Sequence, residues 1–157
     1  MSISYKVLVE VIDNKVHGLE DLYLLNDIFD KQQKFHYSLK APCYERFSNY
    51  TLDDVSDYIE SCDNGIILVA LHDDNIIGFI NIINYDNDSS IEDIFIEENF
   101  RHRGIGSELM KKALTWIKSN TNTKTLSVHI TKGNEKVFKF YNKFGLCMDD
   151  YTFKKEI

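Results

Sequence analysis

The sequence predicts a single α/β (α+β) domain over residues 1–157, with a mixed, largely antiparallel central sheet flanked by helices. Three observations carry this. Segments rich in β-branched residues alternate with segments of helical apolar spacing, two strand-like segments meet at a two-residue turn, and no linker, repeat or low-complexity stretch divides the chain. A length of 157 residues suits one domain with a sizeable core. The predicted order is β-α-α-β-β-β-α-β-α-β.

Each element follows from its residues. "YKVLVEVID" reads as the first strand. From His17 to about Phe35, Leu19, Leu22, Tyr23, Leu25 and Phe29 recur near helical spacing. "HYSLKAPCYERF" breaks that pattern at Pro42 and reads as a loop or short helix. Thr51, with Asp54 three residues later, resembles a capping arrangement that opens the helix "LDDVSDYIESC". "GIILVALH" and "NIIGFINIIN" flank Asp73 and Asp74 and form a predicted hairpin. Ser90–Ile96 is the next strand, Gly104 to about Lys118 a helix, and "TLSVHI" a strand. Asn134–Phe144 is a helix closed by Gly145. "MDDYTFKKEI" alternates in character and is the expected last strand.

Composition narrows the function classes. No apolar run reaches the roughly 20 residues of a membrane span, and "MSISYKVLVEVID" lacks the order of a signal peptide. A cytoplasmic protein with no membrane partner is the expectation. Cys43, Cys62 and Cys147 are odd in number and far apart, so reduced thiols are expected. His17, His36, His72, His102 and His129 show no metal-ligand spacing, and no metal is expected. Residues 1–100 hold 6 Lys+Arg against 20 Asp+Glu, and residues 101–157 hold 12 against 5, which returns the totals of 18 and 25. Such asymmetry suits a basic half meeting an anion and an acidic half meeting a cation, although solvated surface charge explains most of these residues. An acidic chain without a basic-aromatic motif gives no reason to expect nucleic acid.

The chemistry concentrates in "IEDIFIEENFRHRGIGSELMKKAL". Ile91, Ile94, Phe95 and Ile96 make a strand with both faces covered, the pattern of a central strand. Glu92 and Asp93 therefore stand where an unpaired charge costs several kcal/mol. Each is either a satisfied structural carboxylate or an employed one, and partial burial raises a Glu pKa toward the range of a neutral-pH base. "RHRGIG" then opens a helix. Glycine allows close backbone approach, and a first helical turn offers free N–H groups of partial positive charge, so an anion cradle is expected there. It is neither a P-loop, lacking the Lys-Ser/Thr pair, nor a Rossmann fingerprint, whose third glycine position is Leu109 here.

The combination of strand, Arg101-x-x-Gly104-x-Gly106, helix, strand and "NEKVFKFYNKFGL" resembles the GNAT family of N-acetyltransferases. "IEDIFIEENFRHRGIGSELM" is most like its polyamine/diamine acetyltransferase branch. The close resemblance covers about Ile91 to Leu146, and the preceding element order agrees with the family's fold. It implies acetyl-CoA as cosubstrate, with the pyrophosphate on Arg101, His102, Arg103, Gly104, Ile105, Gly106 and Ser107. The acetyl carbonyl and pantetheine arm would meet the backbone of Ile94, Phe95 and Ile96, where a bulge opens a slot. Asn134 would hold the arm, and Tyr141, two turns along, would protonate the departing sulfur. Tyr141 also reads as a core residue among Val137, Phe138, Phe140 and Phe144. Glu92 would be the base, directly or through a water, with Glu97 or Glu98 as alternatives. No cysteine falls in a matched catalytic position, so direct attack is expected.

The acceptor implied is a small-molecule amine, a cation such as a polyamine, bound by Asp27, Asp30, His36 and Tyr37 with Tyr44 and Glu45 nearby. Lys31, Lys34, Lys40 and Arg46 in the same region weigh against that charge argument, as does a shorter C-terminal segment than the branch usually carries. A protein or peptide N-acetyltransferase and a non-catalytic acyl-CoA-binding sensor remain the alternatives. A homodimer is expected from the resemblance.

Overall fold

Six strands, β1 (Ser4–Ile12), β2 (Lys15–His17), β3 (Asn64–His72), β4 (Asn75–Tyr85), β5 (Asp88–Ile96) and β6 (Thr125–Val128), form one sheet in the order β2-β1-β3-β4-β5-β6. The computed structural model describes residues 2–42, 49–155 and 157. Cys43, Tyr44, Glu45 and Arg46, with the loop or short helix expected around them, lie outside the described residues. Every pairing is antiparallel except β5 with β6, which is parallel. The mixed, largely antiparallel sheet read from the sequence is therefore the one formed.

The hairpin turns explain the register. Asp73 and Asp74 both have positive φ, as do Asp13 and Asn14 between β1 and β2. Asp and Asn tolerate that conformation, and a pair of such residues matches the twist of a two-residue hairpin. The β1–β2 hairpin was not expected from the sequence, because β2 is only three residues long.

Helices cover both faces. On one face lie the 3₁₀ segment Leu19–Leu25, α1 (Asn26–Ser38) and α2 (Leu52–Ser61). Leu25, Ile28, Phe29, Val55 and Ile59 pack there against Val9, Val69, Phe79 and Phe95. On the other face, α3 (Ile105–Asn120) and α4 (Phe138–Lys143) bring Leu109, Met110, Ala113 and Tyr141 onto Ile80, Ile82 and Ile91. The capping box at α2 forms as read, with Thr51 Oγ1 accepting from the Asp54 amide and Asp54 accepting from the Thr51 amide.

Three readings need correction. The helix expected over His17–Phe35 begins at Leu19 as a 3₁₀ turn after Gly18, whose φ of 88° breaks the chain direction, and becomes α-helical only at Asn26. The helix expected over Asn134–Phe144 splits into a 3₁₀ turn, Glu135–Val137, and the short α4. The last strand expected in "MDDYTFKKEI" does not form among the described residues, where Met148, Tyr151, Phe153 and Ile157 stay exposed.

Candidate active site

A bulge in β5 organises the site. Along β4 and β5 the register runs Asn81 to Asp93 and then Ile82 to Ile91, so Glu92 is the extra residue. Normal alternation would put Ile91 and Asp93 on one face. With the extra residue, Ile91 packs on the α3 side, while Asp93 turns to the α1 side beside Asn81 and Gln32. Glu92 itself is half-buried and accepts a hydrogen bond from Ser90 Oγ.

The same residue marks where β5 parts from β6. Their ladder runs from Asp88 with Thr125 to Ile91 with Val128 and then stops. Beyond it one edge of β5 is open. The Glu97 amide donates to Ile77 O at 2.8 Å, so strand alternation assigns the backbone groups of Phe95 to the β4 ladder. Those of Ile94 and Ile96 point to the open edge. Of the three residues expected to offer backbone groups, Phe95 is therefore corrected: its amide and carbonyl face β4, and its side chain lies in the α1-side core.

The open edge leads to the glycine turn. Gly104, with φ 80°, precedes α3 and gives it no side-chain cap. The first-turn amides of Ile105, Gly106 and Ser107 thus point outward without intrahelical partners, at the positive end of a 16-residue helix. His102 also has positive φ, 61°, and alternating conformations of this kind gather successive N–H groups into an anion-binding concavity. Gly106 lies close under the Phe140 ring, which a Cβ there would meet at 3.6 Å. Lys143 donates to Ser107 Oγ at 2.7 Å and brings a cation that the sequence pattern did not mark.

Arg101 departs from its expected place in the cradle. Its Nε donates to Ile96 O at 2.8 Å, its amide donates to Glu98 O, and its guanidinium lies 5.2 and 5.1 Å from the ring centres of Phe35 and Phe95. It braces the end of β5 against α1 through cation–π contact. Arg103 stands over Phe100, at 5.6 Å.

Across the opening, Asn134 begins the 3₁₀ turn that leads into α4. Its Oδ1 is buried without a hydrogen-bond partner, the mark of an acceptor awaiting a donor. Tyr141 is 7% exposed, and burial pushes its hydroxyl up to about 12. The phenol is therefore a neutral O–H donor at physiological pH, and it also belongs to the α3-side core. The packing is that of the core reading of Tyr141.

The expected acceptor residues fall differently. Asp27, Asp30 and Tyr37 occupy the exposed face of α1, and Asp30 pairs with Lys34 at 2.9 Å. His36 is half-buried beside Phe35, and burial lowers its pKa. The inward face carries Gln32 instead, in contact with Asp93. Glu97 is tied to Lys31 at 2.8 Å, and Glu98 is exposed. Among the described residues, no group of three or more His, Cys, Asp or Glu is arranged to hold a metal. No helix there is long and apolar enough to cross a membrane.

An open strand edge, an uncapped helix start and an orphan amide oxygen together fit an elongated ligand with amide groups and an anionic end. The model of the acetyltransferase (GNAT) family matches residues 25–146. The chain belongs to this family. Streptothricin acetyltransferase A of Bacillus subtilis (strain 168) is 36% identical over 76 residues, 47% of this chain and 43% of that relative. The chain thus matches less than half of the relative's length. GNAT structures share the fold at low identity. PaiA N-acetyltransferase from Thermoplasma acidophilum, in complex with coenzyme A, aligns with TM-score 0.72 and 21% identity over 97% of this chain and 94% of that one. The aminoglycoside acetyltransferase meta-AAC0020 from an uncultured soil metagenomic sample, in complex with sisomicin, aligns with TM-score 0.65 and 14% identity over 99% and 96%.

Proposed function

We propose that this GNAT protein is an acetyl-CoA-dependent N-acetyltransferase acting on a small cationic primary amine such as a polyamine. The observation that carries the reading is the parting of β5 from β6 at the Glu92 bulge, directly before the uncapped start of α3. The relative named for acetyl transfer and the neighbour complexed with coenzyme A support the cosubstrate.

The chain's residues divide the work. The amides of Ile105, Gly106 and Ser107, with Lys143 beside them, bind the phosphates. Asn134 Oδ1 accepts from an amide of the pantetheine arm. The acceptor arrives as an ammonium, because its pKa is about 10. Glu92 takes that proton, and the free amine attacks the thioester carbonyl carbon. A backbone N–H on the open edge of β5, at Ile94 or Ile96, holds the developing oxyanion. As the C–S bond breaks, the Tyr141 hydroxyl donates its proton to the thiolate. The adjacent carboxylates Glu92 and Asp93 support a cationic acceptor.

The test is thiol release from acetyl-CoA with spermidine, a monoamine and a lysine peptide, on the wild type and Tyr141→Phe. Release with spermidine, slowed in the variant, supports the reading. Release with the peptide alone moves the acceptor to a protein, and no release with any amine refutes the transferase. The same reading takes the protein to be cytoplasmic and homodimeric. The exposed Met148, Tyr151, Phe153 and Ile157 support pairing, and a monomeric mass in sedimentation would contradict it.

A further inference from the structure

A bulge leaves its extra residue out of the ladder, so the one at Glu92 needs something to hold it. Two regular registers compete with it. In one, β5 keeps its pairs from Asp88 to Ile91 and runs on unbroken, which sets Glu92 opposite Asn81 and Asp93 opposite Ile80. In the other, Asn81 stays opposite Asp93, and Glu92 falls opposite Ile82. Directly opposed residues of an antiparallel pair share a face. Ile80 and Ile82 lie on the α3 face, fully buried with Leu109 and Met110. Either register therefore drives one carboxylate into an apolar core, a costly burial for an unpaired charge.

In the bulged register neither carboxylate goes there. Glu92 is half-buried at the extra position, and Asp93 turns to the α1 face. Three donors from separate parts of the chain close on Asp93. Gln32 Nε2 of α1 donates to Oδ1 at 3.3 Å, and Asn81 Nδ2 of β4 and the hydroxyl of Tyr50, just ahead of α2, donate to Oδ2 at 3.2 and 3.1 Å. Asp93, Gln32 and Asn81 are all buried. To donate, both amides turn their oxygens away, and Gln32 Oε1 and Asn81 Oδ1 have no hydrogen-bond partner among the described residues. The carboxylate thus orients the cluster, and Asn81, its cross-strand partner, flanks the register shift itself.

We propose that Asp93, clamped by Gln32, Tyr50 and Asn81, is a positioning residue for acetyl transfer: it pins the register of β5, so that Glu92 stays in the bulge and the edge at Ile94 and Ile96 stays open to the cofactor. In this role Asp93 touches neither the cofactor nor the reacting atoms and acts through the backbone. In the first regular register, a shift of one residue would flip every side chain beyond Ile91 to the other face. The backbone groups of Ile94 and Ile96 would turn into the β4 ladder and away from the slot. The inference rests on the reading of that slot as the cofactor's.

The test measures coenzyme A affinity by calorimetry, alongside urea stability, for the wild type, Asp93→Leu, Asp93→Asn and Val55→Ala. A leucine has no use for the three donors and suits the face of Ile80, so Asp93→Leu should bind coenzyme A at least about tenfold more weakly. An asparagine has the same shape, and turning one neighbouring amide lets it pair there, so Asp93→Asn should stay within about threefold of wild type. Val55→Ala, which opens a cavity in the α1-side core, should lose stability and keep its affinity. A merely structural Asp93 would move stability alone. Wild-type affinity in Asp93→Leu, or an equal loss in Asp93→Asn or Val55→Ala, overturns the assignment. Should Asp93→Leu not fold, Asn81→Ala decides: a loss of about three- to tenfold supports the pin, and an unchanged affinity overturns it. A wild type that does not bind coenzyme A would overturn the cofactor reading, and this role with it, before any variant is compared.

Discussion

Asp93 allows a stability prediction with a definite sign and size. Its carboxyl titrates at about 6 in the fold against an ordinary 3.8, chiefly because it is desolvated. The folded chain thus holds the proton more tightly than the unfolded one, and stability gained from this group rises as pH falls through 6. The full difference corresponds to about 3 kcal/mol, of which roughly half is recovered between about pH 7.5 and about pH 5. Other carboxylates titrate in the same window, so the measurement is the difference between the wild type and Asp93→Asn. Urea unfolding is followed by the fluorescence of Trp116, the one tryptophan, which is buried and donates to Glu10 Oε2 at 2.8 Å. The wild type should gain on the variant by about 1–2 kcal/mol over that range. A difference that stays flat, or moves the other way, would refute the claim that Asp93 is buried with, among the described residues, only the neutral donors Gln32, Asn81 and Tyr50.

Further outcomes follow from the slot. Tyr141→Phe should lower kcat by about 10²- to 10⁴-fold with little change in the KM for acetyl-CoA, because it removes a proton donor and no contact to the cofactor arm; rapid-quench kinetics separates the two. Asn134→Ala should weaken coenzyme A binding about tenfold while leaving the melting temperature unchanged or raised, since its buried Oδ1 has no partner to lose. Gly104→Ala should cost about 1–2 kcal/mol at a φ of 80°, with open space around the new methyl, and should weaken phosphate binding by disturbing the cradle; calorimetric melting and titration check both.

Much of this was legible in the residues, where local chemistry decides structure. The Asp73–Asp74 turn, the Thr51–Asp54 cap and the α3 start each depend on a few neighbouring side chains. What escaped depends on register and partners. The bulge at Glu92 is a mismatch between two strands, and nothing within "IEDIFI" distinguishes it from regular alternation. Gln32 lies in the polar run "DKQQKF" and reads as surface, yet α1 turns it inward to Asp93. Arg101 reads as a phosphate ligand, but its guanidinium engages Phe35, Phe95 and the Ile96 carbonyl. The alternation of "MDDYTFKKEI" is a strand's pattern, yet no strand forms there among the described residues. Tyr141 reads two ways because amphipathic spacing does not tell a core phenol from a working one.

The half-paired β5 also makes the protein its own occupancy gauge. In protein free of coenzyme A, the amides of Ile94 and Ile96, on the edge of β5 turned away from β4, should exchange with deuterium quickly, while the amide of Phe95 between them, bound into β4, should be slow. Filling the slot should slow the fast pair and leave the slow one alone. A single strand would thus switch from alternating to uniform protection, and residue-resolved exchange would read out cofactor binding even in variants that no longer turn over.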